Sequence, residues 1–317
     1  PYFLGSCHFF CDKTVKLGNI MNVCTQTATF ERVYGIKKGI ELLAKAGYES
    51  IDFSMFYPVD KGLLTESDEK IREYFGELRR LIDSLGIYVY QTHTPFPCYV
   101  ANPERDAVIF EAEKKALLAS SILGAKCAIV HPAIMGENRY GSLSAENKAI
   151  NVDFYSRLIP YLDEYDISIA IENIFNYDPE KKCICPTVCS SSTEMADYVD
   201  TMNSLCPTKP RFVSCLDIGH ANLAGDKPLP EMIKELGPRL KSLHIHDNKG
   251  INDDHTAPGF GNIDFGAMCT ALREIGYDGD FIFEADNFYN RFDPALTYDA
   301  SVLLYKIGRN LVDKYGL

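Results

Sequence analysis

The sequence predicts an α/β fold: a (β/α)8 barrel of the TIM type, formed as a single domain over residues 1–317. Three observations lead there. Amphipathic stretches repeatedly end in a glycine turn that passes at once into an apolar run, as in LAKAGYESIDF, IDSLGIYVYQTH, SSILGAKCAIVHP and LREIGYDGDFIFE. Glycine there supplies a left-handed helix cap, and near-continuous apolarity suits parallel strands covered on both faces. Strand-like runs and helical patterns then alternate eight times, at a spacing of about 40 residues. Finally, an open doubly wound sheet would need an early phosphate or dinucleotide loop, and neither Gly-x-Gly-x-x-Gly after the first strand nor a P-loop is present.

The strands are expected at 2–9, 50–54, 88–93, 127–131, 167–172, 212–217, 240–246 and 280–284. The first rests on the apolar opening PYFLG, and the others on runs of Val, Ile, Phe, Tyr and Leu bounded by turn residues. Helices are expected near 30–46, 66–85, 103–123, 145–165, 191–204, 228–236, 264–275 and 295–314, where apolar residues recur at helical spacing. Ser192-Thr193 and Ser144-x-Glu146 offer helix starts. No low-complexity linker interrupts the series.

Composition narrows the function classes. At 46% hydrophobic and 24% charged, the chain has the make-up of a soluble globular protein. Its net charge of −12, from 44 acids and 32 bases, opposes a nucleic-acid partner, because phosphate contacts dominate such binding. No apolar run approaches the roughly 18 residues of a membrane span. The eleven cysteines are odd in number and irregularly spaced, and no secretory signal opens the chain. This pattern predicts a reducing cytoplasm, with most cysteines acting as small buried hydrophobes. Cys183, Cys185 and Cys189 form the one cluster, in a Pro-containing loop.

Chemistry gathers at the strand ends. Strand three ends at His93, four at His131, five at Glu172 and six at Asp217, with His220 three residues on. Strand seven ends at His244 and His246, its loop carries Asp253 and His255, and strand eight ends at Glu284. In a barrel all these ends converge on one mouth, where barrel active sites lie. Singly, each residue reads as a hydrogen-bonded structural histidine, a helix cap or a turn. Jointly they would crowd like charges about one axis, which is costly without a cation. Imidazole with carboxylate suits divalent metals: oxygen-rich ligation favours Mn2+, added histidines draw toward Zn2+ or Co2+, and Mg2+ stays open. His246 faces either the mouth or the helix layer, depending on the pleat. His8, near the end of the first expected strand, is a further candidate for the mouth. Gly259-Phe260-Gly261 fits either a phosphate anchor or a tight turn.

The motifs HTP, VHP, IEN, LDIGH, HIHDN, DDHTAPGFGNIDF and FEADN, in this order, make the chain resemble the xylose-isomerase-like barrel superfamily. That superfamily includes sugar epimerases and isomerases, inosose-processing enzymes and endonuclease IV. The resemblance implies a divalent metal on Glu172, Asp217, His244 and Glu284. It further implies proton transfer by Glu172 and Glu284 next to a metal-chelated carbonyl, with His220 orienting a substrate hydroxyl. Asn173, Asn248 and Asn287 would support the ligands from behind. By the same resemblance, His93, His131, His220, Asp253 and His255 occupy the positions of further metals in endonuclease IV, which keeps a multinuclear zinc phosphodiester hydrolase open. The expected function is a metal-dependent isomerase or epimerase of a ketose, keto-sugar or polyol. A lyase or dehydratase acting on a keto-sugar or inosose is the alternative that uses the same site. A small sugar or polyol is the expected partner, and self-association is left open.

Overall fold

A computed structural model of the chain describes residues 20–135 and 144–317. Eight parallel strands form its centre: β1 (Val23–Gln26), β2 (Ser50–Ser54), β3 (Tyr88–His93), β4 (Cys127–Ile129), β5 (Ser168–Glu172), β8 (Phe212–Asp217), β9 (Leu240–His244) and β10 (Phe281–Phe283). Their order is β10-β1-β2-β3-β4-β5-β8-β9. The ring is completed between β9 and β10 by one parallel bridge, Ile245 to Phe283. There the Ile245 amide donates to Ile282 O at 2.8 Å, and the Glu284 amide donates to Ile245 O at 3.1 Å. The expected (β/α)8 barrel is the observed architecture.

The first strand is a correction. Residues 2–9, and His8 with them, lie outside the described residues, and the position beside β10 and β2 is filled by β1. At four residues, VCTQ is too short and too polar at its end to announce itself as an apolar run. Strands β2, β3 and β8 match their expected bounds, and β4, β5, β9 and β10 differ by one or two residues at an end.

Helices cover the outside of the barrel. The stretch expected as one helix at 30–46 is two, α1 (Ala28–Tyr34) and α2 (Ile36–Ala46). Gly35, at φ +77°, breaks the helical path between them. α2 buries Ile40, Leu43 and Ala46. α3 (Asp68–Ser84) and α4 (Pro103–Leu123) start at capping side chains: Ser67 accepts from the Lys70 amide, and Asn102 from the Arg105 amide at 3.0 Å. α5 (Ser144–Tyr165), α6 (Ser192–Ser204), α8 (Leu229–Leu236), α9 (Phe265–Glu274) and α11 (Thr297–Tyr315) complete the layer. Their apolar faces join the outward-facing strand residues in one continuous core. Among the described residues, no helix is long and apolar enough to cross a membrane.

Three further elements stand at the carboxyl ends of the strands. An antiparallel hairpin, β6 (Phe175–Asp178) and β7 (Cys183–Pro186), follows β5. The short helices α7 (Ile218–Ala224) and α10 (Asp286–Tyr289) follow β8 and β10. Cys183, on the hairpin, is exposed, whereas Cys185 and Cys189 are buried.

Candidate metal centre at the barrel mouth

Residues two apart on a strand share a face, so the pleat that turns Asp217, Glu172 and His244 inward buries them in the barrel rather than among the helices. One donor atom each from Glu172, Asp217, His244 and Glu284 lies within 4.8 Å of the other three. His244 Nδ1 is 3.1 Å from Glu172 Oε1, 3.3 Å from Glu284 Oε2 and 4.0 Å from Asp217 Oδ2. All four side chains are buried, and among the described residues no lysine or arginine pairs with any of the three acids. Glu172 Oε2 and His244 Nδ1 have no hydrogen-bond partner. Three buried carboxylates beside one imidazole, with buried acceptors left open, match the donor set of a divalent cation.

Asp217 is held from behind. Asp217 accepts the His220 amide at 2.6 Å, and this cap starts α7 and sets His220 one turn on. Asn173 clamps the Asp217 backbone twice, accepting from its amide at 2.7 Å and donating to its carbonyl at 2.9 Å. Asn248 donates to Gly219 O at 2.9 Å, while Asn287 is exposed and bonds Asn290 instead. Gly219 lies against the His246 ring, where any Cβ would collide, which accounts for glycine in LDIGH.

Sequence reasoning missed a ring of buried polar residues beneath the ligands. His244 Nε2 lies 2.9 Å from the Gln91 amide and 3.5 Å from Asp52 Oδ2, and Gln91 donates to Asp52 at 3.0 Å. Ser242 donates to the Gln91 carbonyl oxygen. Gln26 donates to Glu284 Oε1 at 2.8 Å and sits 3.1 Å from His93 Nδ1. Asp52 and Gln91 are fully buried. Their only signal is a polar side chain inside a strand that is otherwise apolar, in IDF and YVYQTH.

Two more groups flank this centre. On one side, His131 Nε2 is 3.2 Å from Glu172 Oε2 and 3.3 Å from His93 Nε2. On the other, Asp253 Oδ2 is 2.7 Å from His255 Nε2 and 3.6 Å from His220 Nε2. His220 Nδ1 donates to Asn173 O and His255 Nδ1 to Glu284 O, both at 2.8 Å. Those carbonyls turn both Nε2 atoms toward Asp253. His246 faces the mouth, stacked on His255 at 4.0 Å between ring centroids, with Nε2 3.1 Å from Asp217 Oδ1 and 3.6 Å from Asp253 Oδ1.

The charges balance through the imidazoles. Burial works against ionisation of Glu172, but the imidazoles of His244 and His131 outweigh it and hold the carboxyl well below its usual range. Burial likewise opposes protonation of His220, yet Asp217 and then Asp253 raise it to about 10. Protons therefore occupy the role that a cation would take over.

Gly259-Phe260-Gly261 proves to be a turn. The amides of Gly259 and Gly261 donate to Asp247 Oδ2 at 2.9 and 2.8 Å, and the Ile263 amide donates to Oδ1 at 3.2 Å. The loop wraps a buried carboxylate of its own, so those two amides are already engaged. Above the histidines stand aromatic rings. Phe56 is 4.5 Å from His93, Phe96 is 4.7 Å from His131, and Phe175 is 4.9 Å from His220, between centroids.

The family model described as xylose isomerase-like TIM barrel matches residues 40–306. An uncharacterised protein of Methanocaldococcus jannaschii is 29% identical over 180 residues, an alignment spanning only 56% of this chain and 56% of that protein. An L-ribulose 3-epimerase of Methylomonas sp. is 26% identical over 258 residues, 79% of this chain and 78% of the relative. An inosose dehydratase of Lacticaseibacillus casei is 24% identical over 285 residues, covering 82% and 83%. A crystal structure of the IOLI protein with a zinc atom bound shares the fold at a TM-score of 0.70 and 21% identity, covering 93% of this chain and 99% of that one.

Proposed function

The chain belongs to the xylose isomerase-like TIM barrel family, and from that premise we propose that it is a divalent-metal-dependent epimerase or isomerase of a ketose or keto-sugar. The observation that carries this reading is the convergence of Glu172, Asp217, His244 and Glu284 donor atoms within 4.8 Å, all four side chains buried. A divalent cation held there supplies Lewis acidity toward a substrate carbonyl and its neighbouring hydroxyl. Glu172 and Glu284 come from β5 and β10, with β8 and β9 between them, so they reach the centre from different directions. One carboxylate would take the proton from the carbon beside the carbonyl, while the other, entering protonated, would give its own proton to the opposite face, so that the two end with their protonation states exchanged. His220, with its Nδ1 fixed on Asn173 O, orients a substrate hydroxyl through Nε2. A dehydratase would use the same proton abstraction and expel a β-substituent, as the inosose dehydratase relative makes pertinent.

A second reading, phosphodiester hydrolysis at a multinuclear site, is favoured by one observation: the His93–His131–Glu172 and His220–His246–Asp253–His255 groups are both assembled beside the central four. Elemental analysis of protein purified without chelator, paired with product analysis on ketoses and inososes, separates the two. About one Mn, Co or Zn per chain with an epimerised ketose supports the first reading. Two or three zinc ions with cleavage of a phosphodiester would replace it by the second. A chain that neither carries nor takes up metal refutes both.

A further inference from the structure

Beside the metal centre a separate cavity of about 520 Å³ opens beneath the β6–β7 hairpin. Phe175, Tyr177 and Ile184 line it from the hairpin, Leu223 from α7, and Ile251 from the loop after β9. Its polar end is Asp253, the carboxylate that also meets His220, His246 and His255. Phe175 is shared in the same way, since its ring packs 4.9 Å from His220. The cavity adjoins the site through these two residues, and its aromatic and aliphatic walls stand beside the polar side chains of Lys182, Asn252 and Asp253. Tyr177 is 53% exposed and Ile251 70% exposed, so large apolar side chains stand open beside a polar centre. Such surface next to a site marks a place where a ligand is covered. Lys182 is the one cation among the lining residues, fewer than the several donors that usually hold a phosphate group.

Resting on the epimerase reading, we propose that the substrate is a ketose or keto-sugar carrying an apolar, aromatic or aliphatic substituent, and that this cavity receives the substituent while the sugar lies at the metal centre. The volume suits this division, because small-molecule pockets run about 300–1,000 Å³ and the cavity would add to the room at the centre itself. Specificity then comes from the hairpin and the loop at 250–253, and the chemistry from the strand ends.

The test is calorimetric titration of the metal-loaded protein with D-fructose and with 1-deoxy-1-phenylamino-D-fructose. Burial of the phenyl ring predicts at least about tenfold tighter binding of the aryl derivative. Tyr177→Ala and Ile251→Ser, both at exposed positions outside the core, should bring that ratio close to one. Equal affinities in the parent protein, a ratio untouched by both substitutions, or binding of neither compound would overturn the proposal. Failure of the epimerase reading is read separately, from metal content and from the absence of epimerised product, whatever the affinity ratio.

Discussion

Glu172 and Glu284 combine two duties in the proposed mechanism, ligation and proton transfer, so an isosteric amide removes both at once. Glu172→Gln and Glu284→Gln should each lower turnover by about 10²–10⁴-fold, measured as steady-state epimerisation with metal content determined in parallel. Full activity in both metal-loaded variants would end the proton-transfer scheme. Asp52 acts one residue further out. It sits 3.5 Å from His244 Nε2 and accepts from Gln91 at 3.0 Å, so it anchors the side of the ring opposite the Nδ1 that faces the acids. Asp52→Asn should weaken metal binding by about 10–100-fold in a chelator competition, with the far-ultraviolet circular dichroism unchanged. The contrast between these residues explains what was legible. Glu172, Asp217, His244 and Glu284 stand where an apolar run stops, and a charged group at such a boundary is visible in a single sequence. Asp52, Gln91 and Gln26 lie inside their strands, and whether a polar residue there faces the barrel axis or the helices depends on pleat and register. The shift in register between Ile51 and Asp52 makes that dependence acute.

Among the elements, α4 carries an unusual interior group. Glu113 is fully buried, and burial, partly offset by the Thr94 hydroxyl, raises its pKa to about 8. The folded chain keeps that proton up to about pH 8, whereas the unfolded chain releases it above its ordinary value of 4.5. Folding stability therefore falls as pH rises from 4.5 to about 8 and levels off beyond. Glu113→Gln abolishes this fall. Relative to the parent, its melting temperature should climb across that window and stay flat above it, a gain on the order of a few kcal/mol. A difference that does not vary with pH would show that Glu113 is ionised in the fold. Most helices were legible because caps and periodicity agree, as with Asn102-Pro103 before α4. The hairpin was not: its two four-residue strands carry little apolar alternation, and Asp178-Pro179, where the first of them ends, reads as loop. β1 was passed over for the opening PYFLG, which lies outside the described residues and offers the aromatic and aliphatic run that VCTQ lacks.

At the scale of the whole molecule, the acid excess that opposed a nucleic-acid partner has a local counterpart in the mouth, where three acids and the Asp253 carboxylate gather about buried imidazoles. Metal binding to the folded state alone stabilises it by mass action, about 2.7 kcal/mol when the free ion is a hundredfold above its Kd. Chelation should accordingly lower the melting temperature by several degrees, and restoring the ion should reverse the loss. The place where that effect concentrates follows from how the barrel is closed. Seven neighbouring pairs of strands share hydrogen-bonded ladders, but β9 and β10 meet through the Ile245–Phe283 bridge. Those two strands carry His244 and Glu284, whose donor atoms stand 3.3 Å apart across that gap. An ion gripped by both is a rivet through the one seam of a cylinder. Hydrogen exchange at the Ile245 and Glu284 amides should therefore quicken on chelation well before exchange in the β2–β3 ladder does, and uniform quickening around the ring would show that the seam bears no special load.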